Sequence, residues 1–220
     1  VKEVFDRLNR NARKLTPQEL RHAKFDGWLI GEAEGESGRD EWRTLGVVTN
    51  ARAKRMVDTQ FISELMLLLL EKRVLGFDQN MLDDLYAKYD EPADTVPELN
   101  TDAFTERFEK VKKYILQMNG EEGKVAKHSN GFGNFYSLWG LIALVENLPP
   151  AGEVANRYVA FMEKVERLGA QEDLEAFLRD APAGEYSGAL TYLRNSRGAS
   201  TDLGPRNERL AALSAAILGE

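Results

Sequence analysis

The fold is decided by one strongly apolar run, residues 61–70, which reads FISELMLLLL. Ser63 and Glu64 interrupt the run, and a helix of this length is too short to cross a bilayer. The run is therefore typical of a helix buried in a protein core. The surrounding apolar residues extend the predicted helix over about residues 52–75, where Gly76 ends it.

The same helical spacing of apolar residues recurs along most of the chain, and strand-like alternation is almost absent. Phe104, Phe108, Val111 and Ile115, for example, fall on one face of a helix that begins at Thr101 or Asp102. The pattern predicts an all-α fold, an irregular bundle of roughly nine or ten helices. Residues 31–39 are polar and glycine-rich and predict a mobile loop. The loop over residues 90–100 predicts a division into lobes 1–90 and 101–220, with one continuous domain as an equal alternative.

The composition excludes several classes of site. Of 220 residues, 43% are hydrophobic and 30% are charged, which is typical of a globular protein. Because the chain has no Cys, it has no disulfide, no Cys-ligated zinc or iron–sulfur centre and no thiol nucleophile. His22 and His128 are the two histidines, which argues against a multi-His metal site, and we expect no metal. The charged N-terminus has no apolar signal region, so we expect a cytoplasmic protein without membrane spans.

Positive charge is concentrated at the start of the chain. Residues 1–24 carry a balance of +4, and the remaining residues carry −11, within a net charge of −7. Arg7, Arg10 and Arg13 are spaced to form one basic stripe on a helix, which could contact the phosphates of a nucleotide or of DNA. The alternative is a solvated helix face paired with nearby acids. The negative total argues against broad, non-specific coating of DNA.

Other short motifs indicate local structure rather than chemistry. Residues 130–134, NGFGN, resemble a phosphate loop superficially, but they lack the Walker pattern and a preceding strand, and they predict a turn that enters a helix. His128 is interpreted as a loop residue and His22 as a helix-surface residue. Carboxylate pairs such as Asp83-Asp84 do not form a metal-binding set on one helix face.

The strongest local signal lies in residues 5–21. It consists of FDRLN at 5–9, followed by LTPQELR at 15–21. In the second part, Thr16 is a favourable N-cap, Pro17 suits the first helical position and Glu19 completes a capping box. Together the two parts resemble the GmrSD-type restriction endonuclease N-terminal domain family, a ParB/sulfiredoxin-like group. That family carries Phe-x-Arg-[Ile/Leu]-Asn and then a helix that begins [Ser/Thr]-x-x-Glu-Leu-Arg. The matching residues cover about a tenth of the chain.

The chain also departs from the family pattern. Residues 10–12 are RNA, where many members have Thr-Gly-Gly, and glycine at that point allows a ligand to approach the backbone closely. The family's upstream Asp-Gly-Gln-Gln-Arg motif, tied to nucleotide hydrolysis, does not occur in the sequence. Nor does the nuclease domain that some members add at the C-terminus. We therefore expect the helical half of a larger α/β-plus-α protein, whose N-terminal domain is a separate partner chain or precedes these residues.

The resemblance implies a role in the restriction of foreign DNA and nucleotide hydrolysis in the intact protein, with a nucleoside triphosphate as its cofactor. The phosphate- or ligand-binding residues that it implies, with the neighbouring basic stripe, are Arg7, Asn9, Arg10, Arg13 and Arg21. This chain alone is expected to be non-catalytic and to hold no cofactor of its own. A non-catalytic protein-interaction or sensor module, including a homo-oligomer, is the alternative, and a free-standing helical nucleotide binder is a third. The sequence leaves open whether Arg206 and Arg209 join the site.

Overall fold

A computed structural model describes residues 15–128 and 131–219 of the protein. This part of the chain folds into α-helices and contains no strand, which confirms the all-α prediction. It contains thirteen α-helices rather than nine or ten, because several are a single turn long. The helices are α1 Pro17–Lys24, α2 Trp28–Ser37, α3 Asp40–Thr44, α4 Asn50–Ala53, α5 Val57–Glu71, α6 Gln79–Lys88, α7 Pro92–Thr95, α8 Thr101–Asn119, α9 Phe132–Leu144, α10 Ala151–Gly169, α11 Leu174–Asp180, α12 Ser187–Asn195 and α13 Leu203–Leu218, with a 3₁₀ turn at Ala126–His128.

Helix α5 contains the apolar run and lies at the centre of the packing. Nearly all of its side chains from Asp58 to Leu69 are buried, and it contacts α1, α2, α4, α8 and α9. The predicted buried helix is therefore confirmed, but the single helix over residues 52–75 is wrong. The chain breaks at Met56, whose φ of 54° is left-handed, and α5 ends at Glu71. Arg52 donates to the carbonyls of Gly46 and Val47, which joins α4 to the segment before it.

Residues 31–39 form most of a helix, α2, so the prediction of a mobile loop is wrong. Leu29, Ile30 and Ala33 are buried where α2 packs on α5. Glu36 is also buried, and its carboxylate accepts hydrogen bonds from Trp42 Nε1 and Lys112 Nζ, both at 2.8 Å. These contacts with residues outside the segment outweigh the low helix propensity of its glycines.

An aromatic cluster joins the early and late parts of the chain. The Trp42 ring lies 5.7–6.1 Å from the rings of Trp139, Phe108 and Phe135. Trp139 is fully buried and donates from Nε1 to the carbonyl of Leu65 in α5 at 3.1 Å. The hydrophobic core is thus continuous from Phe25 to Ile217. The division into lobes 1–90 and 101–220 stays a prediction.

The last three long helices pack against this centre. Helices α10, α12 and α13 contact one another, α10 also packs on α8, and α13 also packs on α9. Two arginines of α13, Arg206 and Arg209, point into the interior and are almost fully buried. Within residues 15–128 and 131–219, the helices that occur are too short or too polar to span a bilayer.

Candidate functional site at the first helix

Helix α1 begins with the capping box that the sequence predicts. The Thr16 hydroxyl accepts from the Glu19 N–H at 3.1 Å, the Glu19 carboxylate accepts from the Thr16 N–H, and Pro17 occupies the first turn. The same two residues also contact the segment before α5. Thr16 Oγ1 donates to the carbonyl of Arg55 at 3.3 Å, and the Arg55 guanidinium lies 3.1 Å from the Glu19 carboxylate. The start of α1 is therefore capped and is also bonded to the segment that precedes α5.

Buried polar side chains fix the rest of α1. Gln18 is 1% exposed and donates to the Tyr86 hydroxyl at 2.9 Å. Arg21 is 2% exposed, and its Nε donates to Asp83 Oδ1 at 2.7 Å. The remaining nitrogens of Arg21 donate to the carbonyl and side chain of Gln79 and, at 3.5 Å, to Gln60 Oε1. The guanidinium thus joins α1 to both α5 and α6.

A small cleft of about 150 Å³ lies beside α1, between this helix and the start of α6. We call it the α1 cleft, and it is lined by Pro17, Leu20, Arg21, Lys24, Gln79 and Asp83. Leu20 is 43% exposed, an unusual value for a leucine in this structure. Lys24 is exposed, and its Nζ lies 4.6 Å from the centroid of the Phe25 ring. The cleft therefore combines an apolar wall with one accessible cation.

The structure covers only part of the predicted ligand site. Arg7, Asn9, Arg10 and Arg13 lie outside the described residues. Arg21 lies inside them, with each of its three guanidinium nitrogens already bonded to another side chain or to the backbone. Its role in ligand binding stays a prediction, and the contacts observed are those of a residue that positions α1.

The two histidines occupy different environments, and neither belongs to a metal-ligating group in the described residues. His22 is exposed on α1, and its Nδ1 lies against the Glu34 carboxylate. His128 is buried in the 3₁₀ turn, with Nδ1 2.7 Å from Glu166 Oε1. In the part of the chain that the structure describes, no three His, Asp or Glu side chains converge to hold a metal ion.

No family model, no curated protein and no solved structure matches this chain. The likeness of residues 5–21 to the GmrSD-type family is therefore carried by the motif residues alone. The second half of that motif, residues 15–21, lies in the described structure as the anchored start of α1.

The buried arginines of α13 form two further polar clusters, and burial distinguishes them from surface basic residues. Arg206 Nη2 lies 2.7 Å from Glu64 Oε2, Nη1 donates to the carbonyl of Leu75, and the guanidinium carbon is 3.8 Å from the Tyr136 ring centroid. Burial raises the pKa of Glu64, and Arg206 opposes that rise. A helical spacing of three residues could have indicated that Arg206 and Arg209 share a face, but it could not indicate that the face is internal.

A larger open groove lies elsewhere on the surface, between α8 and the end of α9. Its volume is about 490 Å³, and its walls include Glu106, Arg107, Tyr114, Ile142 and Val145. Arg107 donates to the carbonyl of Ala143 at 3.0 Å across the groove floor. The lining mixes apolar side chains with both signs of charge, so it does not concentrate positive charge as a phosphate site does.

Proposed function

We propose that this chain is the helical portion of a GmrSD-type restriction and defence protein. In this proposal, Arg7, Asn9, Arg10 and Arg13 contribute to a nucleotide- or DNA-phosphate-binding site that an N-terminal domain completes. Arg7 stabilises phosphate charge, and Asn9 offers an amide donor and acceptor to the base, sugar or phosphate. Arg21 acts as a positioning residue that keeps α1 in place.

The observation that carries the proposal is the anchoring of residues 16–21. Thr16, Gln18, Glu19 and Arg21 each make contacts with residues at least 36 positions away in the sequence, in α5, in α6 or just before α5. The basic segment therefore adjoins in sequence a helix that is fixed to the rest of the described chain. Fixed attachment is what a phosphate-binding residue requires, because its charge must be held where the ligand arrives.

The charge distribution also favours phosphate binding at the N-terminal end of the chain. The balance is +4 over residues 1–24 and −11 over the rest of the chain. A polyanion is repelled by the acidic body and attracted to the basic segment, so binding is confined to that end. The α1 cleft, with exposed Lys24 in its wall, adds one more cation beside the anchor.

The test is a DNA- and nucleotide-binding titration of the 220-residue chain and of the intact protein. Arg7→Ala and Arg10→Ala are expected to weaken binding and to lower the salt slope by about 0.9 for each phosphate that the variant no longer neutralises. Arg197→Ala removes the same charge from an exposed loop and is the matched control. In the intact protein, Arg7→Ala is also expected to reduce nucleotide hydrolysis and restriction. Unchanged binding, hydrolysis and restriction in Arg7→Ala would refute the assignment.

The second candidate function is a non-catalytic protein-interaction module, and the open groove between α8 and α9 favours it. Its mixed lining and its volume suit a partner's side chains better than a phosphate. Light scattering on the purified chain, combined with Tyr114→Ala and Val145→Asp, distinguishes the two functions. A change of oligomeric state or partner binding in these variants, with DNA binding unaffected, would favour the interaction module.

A further inference from the structure

The N-terminus of α9 offers hydrogen-bond donors without a capping side chain. Gly131 is the N-cap residue, and among residues 15–128 and 131–219 no side chain caps the helix. The N–H groups of Phe132, Gly133 and Asn134 belong to the first turn, where an α-helix has no internal acceptor for them. Together with the helix dipole, such a turn favours an anion. An uncapped turn alone is a common feature, so a ligand site requires an independent observation.

That observation is Arg209, a buried cation without a counter-ion in the part of the chain that the structure describes. It is 1% exposed, and its partners there are neutral: Nε donates to Ser137 Oγ at 3.3 Å, and Nη1 donates to the carbonyls of Asn195 and Ser200. Burial lowers its pKa, and the nearby charge of Arg206 acts in the same direction. Buried charges in proteins are normally paired, so a bound anion would stabilise the Arg209 guanidinium.

The remaining nitrogen of this guanidinium, Nη2, faces the α9 turn and has no hydrogen-bond partner among the described residues. It lies 3.6 Å from the position that a β-carbon on Gly133 would occupy. The Ser137 hydroxyl, which accepts from Nε, in turn donates to the Gly133 carbonyl at 3.0 Å, so the guanidinium lies along the first turn of α9. A β-carbon at position 133 would be in ordinary van der Waals contact with the guanidinium, so glycine keeps a side chain away from Nη2.

A second guanidinium lies on the same turn. The Arg52 guanidinium carbon is 4.3 Å from the Phe132 ring centroid, and Arg52 Nη1 donates to the backbone carbonyls of Gly46 and Val47. Arg52 also has no carboxylate partner among residues 15–128 and 131–219. Two arginines and the helix dipole thus give this turn a positive potential, although the chain as a whole is acidic.

We propose that the first turn of α9 binds a phosphate group between the N–H groups of residues 132–134 and Arg209 Nη2. The ligand class is a phosphate dianion, either free or as the terminal group of a mononucleotide. This site is separate from the segment 7–13 of the proposed function, and neither depends on the other.

The first experiment titrates inorganic phosphate into the full chain at constant ionic strength, with thermal unfolding as the readout. Phosphate about tenfold above its Kd is expected to raise Tm by about 3–6 °C. Sodium chloride at matched ionic strength is expected to give no comparable shift. An equal shift with chloride would overturn the proposal, because it would show general screening rather than a site.

Two variants test the location of the site. Gly131→Asp places a carboxylate at the N-cap, where the backbone is extended and nothing lies within 4 Å of an added β-carbon. It is expected to raise Tm without phosphate by about 1–5 °C and to abolish the phosphate response. Gly131→Ala, which adds no charge, is the matched control and is expected to keep the response. Arg209→Gln is expected to weaken phosphate binding about tenfold or more.

The outcomes are distinct. A phosphate shift that persists in Gly131→Asp would overturn the proposal even if Arg209→Gln does not fold. Adenosine monophosphate, compared with adenosine, identifies the source of the phosphate: a response to the nucleotide and not to the nucleoside supports a nucleotide phosphate. A response to inorganic phosphate alone supports the same site with a free ion. Gly131→Asp is expected to leave DNA binding by the segment 7–13 unchanged, which separates this site from the proposed function.

Discussion

The Glu64–Arg206 pair provides a quantitative test of how the two ends of the chain are held together. The two side chains are 7% and 5% exposed, and they lie 142 residues apart in the sequence. Arg206→Met keeps most of the volume that packs on Tyr136 but removes the charge. The Glu64 carboxylate is then left buried without its cation. Removing one partner of a buried ion pair costs about 3–5 kcal/mol of folding free energy.

This loss corresponds to a fall in Tm of about 6–20 °C for a chain of this size. The double variant Glu64→Leu/Arg206→Met removes both charges and is expected to recover most of the loss. Recovery is incomplete by about 1 kcal/mol, because the carbonyl of Leu75 loses the hydrogen bond from Arg206 in both variants. Chemical denaturation of the wild type and of the three variants, including Glu64→Leu alone, gives the coupling free energy.

The pH dependence of the single variant gives an independent check. Burial already raises the pKa of Glu64 above its ordinary 4.5, and Arg206 opposes that rise. A raised pKa in the folded state stabilises the protein below the unfolded pKa, and this stabilisation is lost as pH rises through the folded pKa. Arg206→Met removes the opposing charge and raises the pKa further. The variant is therefore expected to recover stability relative to the wild type as pH falls through its raised folded pKa towards the ordinary 4.5. A loss below about 1 kcal/mol, or a loss independent of pH, would refute this reasoning.

Three further predictions concern single positions and can be checked by denaturant unfolding. Gly27→Ala is expected to cost about 2 kcal/mol or more, because a β-carbon would lie 2.1 Å from a backbone oxygen, whereas Gly31→Ala, with open space, should gain up to about 1 kcal/mol. Tyr158→Phe is expected to stabilise by about 1 kcal/mol, since its buried hydroxyl has no partner among the described residues, whereas Tyr192→Phe should lose a similar amount with its bond to Asn134. Lys72→Gly is expected to gain about 0.5–1 kcal/mol by relieving the left-handed φ of 52°, and Lys72→Ala should not.

The sequence predicts the helices most accurately where apolar periodicity is strong, and less accurately where distant residues decide. The run at 61–70 is unambiguous because nearly every position is apolar. Residues 31–39 predict a loop because their glycines and acids outnumber their apolar residues. In the structure Glu36 instead bonds to Lys112, 76 positions away, and no local pattern contains that information.

The candidate site shows the same division between local and distant information. The capping box of Thr16 and Glu19 involves residues three apart, and the sequence predicts it correctly. The contact of Arg21 with Asp83 spans 62 positions, and only the fold reveals it. From the sequence alone, a basic residue next to a motif could bind a ligand or could join its helix to another helix. In the structure the partner of Arg21 is the Asp83 carboxylate of α6, which accounts for anchoring, and its role in ligand binding stays a prediction.

Three buried arginines of this chain can be compared by the charge of their partners. Arg206 faces a buried carboxylate, so removing it leaves a charge that water cannot reach. Arg21 faces Asp83, whose side chain is 46% exposed and can be solvated again, so its removal is expected to cost less. Arg209 has neutral partners within residues 15–128 and 131–219, and its removal leaves no carboxylate of that part of the chain behind. Anchoring accounts for Arg21 and Arg206 because each ion pair is complete. The described residues around Arg209 supply no carboxylate for its positive charge. We therefore propose an anion at Arg209 and not at Arg21 or Arg206.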